Sequence, residues 1–421
     1  MSVDNPAHEH PDEMGERAGG PHSPRVLVAG ASIAGPALAH WLHRRGAEVT
    51  VVERAHTLRP GGQAVDARGV SREVIRRMGL DARVRAARTE TAGAHTVDAT
   101  GTVLETVRAD DDGGDGYIAE IEILRGDLSQ VLYDDTRDDV EYLFGDRIAT
   151  LTQDPDGVDV TFESGDRRRF DLVIGADGLH SALRAMVFGP HERFLRHLGL
   201  VLAFYSVPNE FGLDRRLIEY QQSGRTAILR PLRDTTRAMA IFSFPSGDFD
   251  VDHRDIAAQQ RLLRERMAGM GWSTSRILAH LDDTPDFYLD QVAQVVMDRW
   301  STGRVGLLGD AAFSSSPMSG QGTGLALVGA YLLAGELAAA GWDPEAGFTG
   351  YERRMRSFVE ANQEIGRLHA QSLTAAPGEA ATEWDFDLID RAINGIELPD
   401  YAGLPDSGVP VEAPVTASPK P

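Results

Sequence analysis

The stretch Val26-Leu27-Val28-Ala29-Gly30-Ala31-Ser32-Ile33-Ala34-Gly35 leaves the chain few ways to fold. Its apolar start makes a buried strand, its two glycines mark a tight turn, and the run about Pro36 to Arg45 reads as a helix. A second strand, Glu48 to Glu53, follows. Such a unit aims backbone N–H groups and a helix N-terminus at a pyrophosphate. Gly30 permits the turn and Gly35 lets helix and strand approach. Ser32 stands at the middle glycine of G-x-G-x-x-G and stays small. Glu53, 23 residues after Gly30, can accept hydrogen bonds from a ribose 2′-OH. An acid there disfavours a 2′-phosphate, so NADP is not the expected occupant of this turn.

Two further blocks repeat the device. Asp171 to Ala176 is an apolar strand leading into Asp177-Gly178, with His180, Ser181 and Arg184 on the turn and helix behind it. Gly303 to Leu308 leads into Gly309-Asp310-Ala311-Ala312, and Pro317-Met318-Ser319-Gly320-Gln321-Gly322-Thr323-Gly324 opens a long helix. An acid at a strand end can bind ribitol or ribose hydroxyls. The N–H groups from Gly320 to Gly324 can stabilise negative charge on a nearby ring or phosphate. Taken alone, either block is equally a strand-to-helix turn with an Asx cap.

Composition closes other routes. The chain of 421 residues has no cysteine, and of its 42 basic residues only Lys420 is a lysine. That excludes disulfides, Cys-based zinc, a thiol nucleophile, a Walker A loop and an internal Schiff base. The histidines include His8, His10, His22 and His180, and none has metal-ligand spacing, so no metal is expected. The net charge of −22 argues against nucleic acid and anionic membranes. Half of it lies in the tails: residues 1–24 carry −4 and residues 376–421 carry −7. With no stretch resembling a membrane span and a polar, acidic N-terminus, the expected location is cytoplasmic.

Between about 190 and 290 the text turns to alternating strands, Gly199 to Ser206, Arg216 to Tyr220, Thr226 to Pro231 and Ala238 to Phe244, followed by a helix near Ile256 to Met270. Residues 70–88 read as one helical stretch. Residues 95–107 and 117–124 read as strands around an acidic loop, Ala109 to Gly116. Long helices are expected at about Gly322 to Ala340 and Pro344 to Leu373, and a short one at Trp384 to Ile396.

In this order the three blocks resemble the flavoprotein aromatic hydroxylase family, the single-component FAD monooxygenases related to para-hydroxybenzoate hydroxylase, through its GxGxxG, DG and GD motifs. The third block, with Trp300 ahead of GRVGLLGDAA and then P-x-x-G-Q-G, is the most specific, and the likeness spans about residues 25–375. The compact length is most similar to the tetracycline-inactivating branch. The resemblance implies an α/β fold: a discontinuous, GR2-type Rossmann-like FAD-binding domain with an inserted antiparallel-sheet substrate domain and a long C-terminal helix. The implied division is a disordered acidic tail at 1–24, an FAD-binding domain at 25–95, 115–190 and 291–343, and a substrate-binding domain at 96–114 and 191–290. A bridging helix at 344–375 and a mostly flexible tail at 376–421 complete it.

The resemblance also implies non-covalent FAD with NADPH or NADH as co-substrate. O2 would add at flavin C4a, and the C4a-hydroperoxyflavin would oxygenate an aromatic or polyketide-like small molecule. Gly30, Ser32, Ile33, Ala34, Gly35, Glu53 and Arg54 would hold the ADP half, Arg125 the flavin or pyrophosphate, and Gly309 and Asp310 the ribitol region. Pro317, Gly320, Gln321, Gly322, Thr323 and Gly324 would border the isoalloxazine. Asp177, with Arg184, belongs to the motif linked to both FAD and NAD(P)H.

The sequence departs from the family pattern at Phe313, Ser316 and Gly324, where a His, a Pro and an Asn are usual, and these are expected to alter the flavin's edge. Substrate is expected against the insert's sheet, at Tyr205, Tyr220, Arg230, Phe242 and Phe244, with Pro317 and Met318 over the ring. Arg230 is the sharpest pick there, for an anionic or polyketone group. The partner is a small molecule, and the protein a monomer or homodimer. A flavin halogenase lacks support, since no W-x-W-x-I-P segment or catalytic lysine is present. A non-oxygenating FAD protein, a cyclase or cofactor-binding scaffold, stays open.

Overall fold

The computed structural model describes residues 23–59, 61–109, 115–116, 118–248, 251–252, 255–374 and 385–404. His8, His10, His22 and Trp384 lie outside it, as do most of both tails and part of the acidic loop.

The expected parallel sheet is present. Its strands β1 (Arg25–Ala29), β2 (Glu48–Glu53), β7 (Glu141–Phe144), β11 (Leu172–Gly175), β17 (Ser301–Thr302) and β18 (Val305–Leu307) lie in the order β17-β18-β11-β1-β2-β7. All pair in parallel except β17 with β18. Its central strands are apolar on both faces because both faces are covered. Helix α1 (Ala34–Arg44) packs on α9 (Gly322–Ala339), and so does α10 (Pro344–Thr374). Helix α9 is apolar all round and long enough to cross a membrane, but most of it is enclosed by these neighbours.

A two-stranded sheet pairs β3 (Ala64–Ala67) with β6 (Ile121–Leu124), and a three-stranded one joins β8 (Ile148–Asp154), β9 (Gly157–Phe162) and β10 (Arg167–Phe170). The single helical stretch expected at 70–88 is two helices, α2 (Val70–Arg77) and α3 (Asp81–Ala86), broken at Gly79 with φ 79°. Helices α4 (Arg125–Thr136), α5 (Ala182–Phe188) and α8 (Asp310–Phe313) each follow a strand end.

The second large sheet has seven strands. These are β4 (Gly93–Val97), β5 (Val103–Arg108), β12 (Leu195–Pro208), β13 (Arg216–Gln222), β14 (Arg225–Pro231), β15 (Arg237–Pro245) and β16 (Tyr288–Val295), in the order β16-β12-β15-β14-β13-β4-β5. The strand expected over 95–107 is therefore a hairpin. Its turn is held by Asp98, which accepts from the N–H groups of Thr100 and Thr102. Because β4 starts at Gly93, this hairpin belongs whole to the seven-stranded sheet.

Helices α6 (Ile256–Met267) and α7 (Thr274–Ala279) cover one face of that sheet, enclosing Val201, Ala203, Tyr205, Tyr220, Ala227, Leu229, Phe242 and Phe244. The opposite face, two residues apart in the same alternation, presents Leu202, Phe204, Ile228, Arg230, Ile241 and Tyr288. Helix α11 (Phe386–Asn394) docks on α10, where buried Asn362 donates to Ala392 O (2.9 Å).

Arg230 of β14 ties the seven-stranded sheet to the two-stranded one, its guanidinium pairing with the buried Glu122 carboxylate of β6. Thr89 and Thr91 donate to the same carboxylate. Burial alone would raise the Glu122 pKa, but the Arg230 charge and the two hydroxyls overcome it and hold the group below its usual 4.5. A depressed carboxylate adds stability that is full above its unfolded pKa and is lost as pH falls through the folded one. Arg230→Ala strands that carboxylate, so urea unfolding is expected to show a loss of about 3 kcal/mol at neutral pH. The deficit should shrink as the pH drops below 4.5.

Candidate flavin cleft

The three glycine turns converge in space. A Cβ on Gly30, whose φ is 110°, would lie 2.4 Å from Ala176 O, so the first turn presses on the strand end that leads into Asp177. A Cβ on Gly35 would lie 1.8 Å from Gly30 O. One on Gly309 would lie 3.2 Å from Ala34 Cβ, and one on Gly322 3.9 Å from Asp310 Oδ1. The approaches at Gly30 and Gly35 admit no side chain, that at Gly309 is tight, and Gly322 sits at ordinary contact distance.

The Glu53 carboxylate accepts from the N–H groups of Ala31 (3.0 Å) and Ala55 (2.9 Å), fixing the turn to the end of β2. Arg54, next to it, is exposed. Arg125 at the start of α4 reaches over and donates from Nη1 to Ser32 Oγ (2.8 Å). Its pKa is lowered first by burial and then by Arg59, while Glu53 and Tyr288 oppose the shift. A sequence feature passed over earlier, Gly61-Gly62-Gln63, seats this arginine: Gln63 O and Gly61 O accept from the N–H groups of Arg125 and Gly126.

Several groups here look for a partner outside the chain. Helices α1, α4, α8 and α9 begin without a side-chain cap, as do α2, α3 and α7, whereas α5, α6 and α11 are capped by Ser181, Asp255 and Asp385. Asp177 Oδ2 accepts from Leu183 N (3.1 Å), but its buried Oδ1 has no hydrogen-bond partner. Burial is the main cause raising the pKa of Asp177 and of Asp310. Yet the Asp310 side chain is exposed to solvent. Both statements hold together if it stands on the floor of a deep cleft, crowded by protein but open on one side. Tyr288 has the same dual character, 42% exposed with a pKa raised by burial and then by Asp290 and Asp310. That pairing places the Tyr288 face of the seven-stranded sheet over Asp310.

The loop before α9 closes the cleft. Pro317 and Gly320 are exposed there, Ile33 and Thr323 are nearly buried, and Gln321 N donates to Ser319 Oγ (3.1 Å). Gly324 abuts Gln321 and Ser71 of α2. Met318 packs against the buried cluster of Leu200, Val292 and Ala370, as do Leu202 and Leu373, and its carbonyl is 2.9 Å from His369 Nδ1. Uncapped helix ends, an arginine, a ribose-height acid and a carboxylate at Asp310 fit a dinucleotide carrying a flavin ring.

Other expected residues lie elsewhere. Tyr205, Tyr220, Phe242 and Phe244 face α6 and α7 rather than the cleft. Tyr205 is fully buried and donates to Ile277 O (3.0 Å), and Tyr220 donates to Gln222 Oε1 (2.9 Å). The reason is parity: a one-residue offset along a strand exchanges the faces, and both faces of this sheet are apolar. Arg230 is on the cleft face but turns to Glu122. Arg184 is buried and donates to Ala311 O and Leu179 O, bracing α5 against α8. Phe313 is core, packed on Trp300 with ring centroids 4.7 Å apart, and not at the cleft's edge.

Two substitutions test the cleft. Gly35→Ala drives a methyl group into Gly30 O, and the purified variant should retain no yellow cofactor. Arg125→Ala should fold normally and weaken FAD binding about tenfold, the effect of one lost charged hydrogen bond, as read by flavin fluorescence titration.

Over residues 24–364 the chain matches the FAD binding domain family. A flavin-dependent monooxygenase from an unknown prokaryotic organism is 41% identical over 389 residues, 90% of this chain and 100% of that protein. An uncharacterized protein of Mycobacterium tuberculosis is 44% identical over 377 residues, 89% of this chain and 99% of that one. Among solved structures, the tetracycline destructase Tet(55) superposes with a TM-score of 0.82 at 38% identity, over 90% of this chain and 100% of its own. The chain therefore belongs to the FAD binding domain family, among its flavin-dependent monooxygenases.

Proposed function

We propose that this monooxygenase uses NADPH or NADH and O2 to oxygenate a planar aromatic or polyketide-like small molecule. The observation that carries the reading is the apolar wall opposite Asp310. Phe204 and Tyr288 stack with centroids 4.7 Å apart, and Leu202, Ile228 and Ile241 lie on the same face, half-buried. A flat, largely apolar ligand suits such a wall with few polar anchors. The likeness to a tetracycline destructase, named for a polyketide, supports the same class.

When bound, FAD would supply the redox chemistry between a nicotinamide reductant and O2. The chain's part is to bind, orient and keep water out. The N-terminus of α1 and Arg125 would hold the pyrophosphate, Glu53 the adenosine ribose, and Asp310 the ribityl hydroxyls. The N–H groups of Gly322, Thr323 and Gly324 at the start of α9 would face the electron-rich edge of the ring. Pro317 and Met318 would cover substrate from the loop side. Use of a nicotinamide reductant supports a cytoplasmic location, where such reductants are drawn on.

Oxygen uptake with NADH or NADPH, measured across phenols and tetracyclic polyketides, tests the reading. Stimulation by at least one compound, with an oxygen atom added to it, is expected. A flavin-loaded protein that no such compound stimulates would be a non-oxygenating FAD protein instead. Within an active pair, Ile241→Trp should raise KM strongly by filling the wall. Tyr205→Phe, on the far face, should leave KM unchanged and cost only about 1 kcal/mol of stability.

A further inference from the structure

The apolar wall continues across the seven-stranded sheet as a single row. Cross-strand partners on the cleft face run Tyr288 (β16), Phe204 (β12), Ile241 (β15), Ile228 (β14), Glu219 (β13) and Thr96 (β4), each directly opposite the next. The rows on either side are covered. On one side Ser243 and Thr226 are buried, and Ala370 of α10 packs with Leu200 and Val292. A Cβ on Gly224 would lie 3.7 Å from Leu373 O, so α10 reaches as far as the turn between β13 and β14. On the other side Met239 and Leu217 are buried, Leu217 beneath Ile118. Between them Ile241, Ile228, Glu219 and Thr96 are half-buried. The row is therefore the floor of a groove that starts at Tyr288 and crosses the strands. At a strand spacing of about 4.8 Å, Glu219 stands about 14 Å from Phe204. The floor is apolar up to Ile228 and then meets a carboxylate. Gln221 Nε2 donates to Glu219 Oε1 (2.5 Å), which orients that carboxylate through a neutral amide.

We infer that Glu219 is a specificity-determining residue: it receives a basic nitrogen at the far end of an elongated, flat substrate whose other end lies at the Tyr288 side of the groove. The inference deepens the aromatic-substrate reading above and rests on it. Phe204, Ile241 and Ile228 hold rings by area alone, so they leave a flat body free to lie either way round. One charge at one end removes that freedom and decides which end of the molecule is presented for reaction. In a groove whose walls displace water, a half-buried carboxylate attracts an ammonium group more strongly than an open surface does, and the N–H groups of the cation donate charge-assisted hydrogen bonds to it. A hydroxyl at the same place gains only an ordinary hydrogen bond. Arg230, on the adjoining row, is committed to Glu122. A one-ring molecule is too short to touch Phe204 and Glu219 together, so this selection acts on substrates of two or more rings.

Binding without a nicotinamide tests this in the absence of turnover. The FAD-loaded protein is titrated with a para,para′-disubstituted biphenylol carrying an aminomethyl group, with its hydroxymethyl twin, and with tyramine. Perturbation of the flavin absorbance gives each Kd. The amine should bind about tenfold tighter than its hydroxymethyl twin, the difference between a charged and a neutral hydrogen bond. Glu219→Gln should erase that ratio and leave the flavin spectrum and the hydroxymethyl Kd unchanged. The ratio is taken within each variant, so a general loss of stability does not imitate the effect. Ile228→Trp, which fills the floor midway, should weaken both biphenyls and spare tyramine. No amine preference in the wild type, a preference that survives Glu219→Gln, or biphenyl binding indifferent to Ile228→Trp would overturn the inference and leave the oxygenation reading standing. So would failure of the amine to bind a protein that the oxygen-uptake panel shows to be active. A protein that no panel compound stimulates would overturn the reading beneath, and this inference with it.

Discussion

Two absent side chains decide what this protein can be. Gly30 and Gly35 bring the first turn within contact of itself and of the strand end at Ala176, distances that no Cβ tolerates. That approach sets the end of β1 beside the Asp177 turn and the start of α1 beside Gly309. The other motifs then fall into one cleft from separate parts of the chain. Arg125 closes the ring of contacts through Ser32, and Glu53 pins the turn from the next strand. The parallel sheet serves as the scaffold for those contacts, with α9 buried behind it.

Much of this was legible in the residues. The strand, turn and helix at 25–44, the long helices from Gly322 and Pro344, and the acids at Glu53 and Asp310 follow from periodicity and from glycine's conformational freedom, both local properties. What was hidden is non-local. The alternation in β12 to β15 reveals two faces but not which one meets the flavin, because α6 and α7 cover one with apolar side chains and the cleft wall is apolar too. Tyr205 and Phe242 therefore read as ligand contacts, although Phe204 and Ile241, one residue away, are the ones that share a face with Tyr288. Arg230 stood out as a lone cation among apolar neighbours. Its partner, Glu122, is 108 residues away in the chain.

The same geometry links stability to function. The seven-stranded sheet is held over the cradle by a charged pair at Glu122, just before the arginine that touches the Ser32 turn. Packing and site thus meet within a few residues of β6 and the start of α4. The opening composition also takes on a narrower meaning. A chain with no cysteine and one near-terminal lysine offers no thiol and no internal amine for covalent catalysis, which agrees with a fold whose reactive group is a bound flavin.

The most direct test of this account is a crystal structure of the protein loaded with FAD. It should show the pyrophosphate at the start of α1 beside Arg125, the ribityl chain at Asp310, and the ring facing Phe204, Ile241 and Tyr288. A ring on the Tyr205 and Phe242 side of the sheet, or a pyrophosphate away from the Gly30 turn, would contradict it.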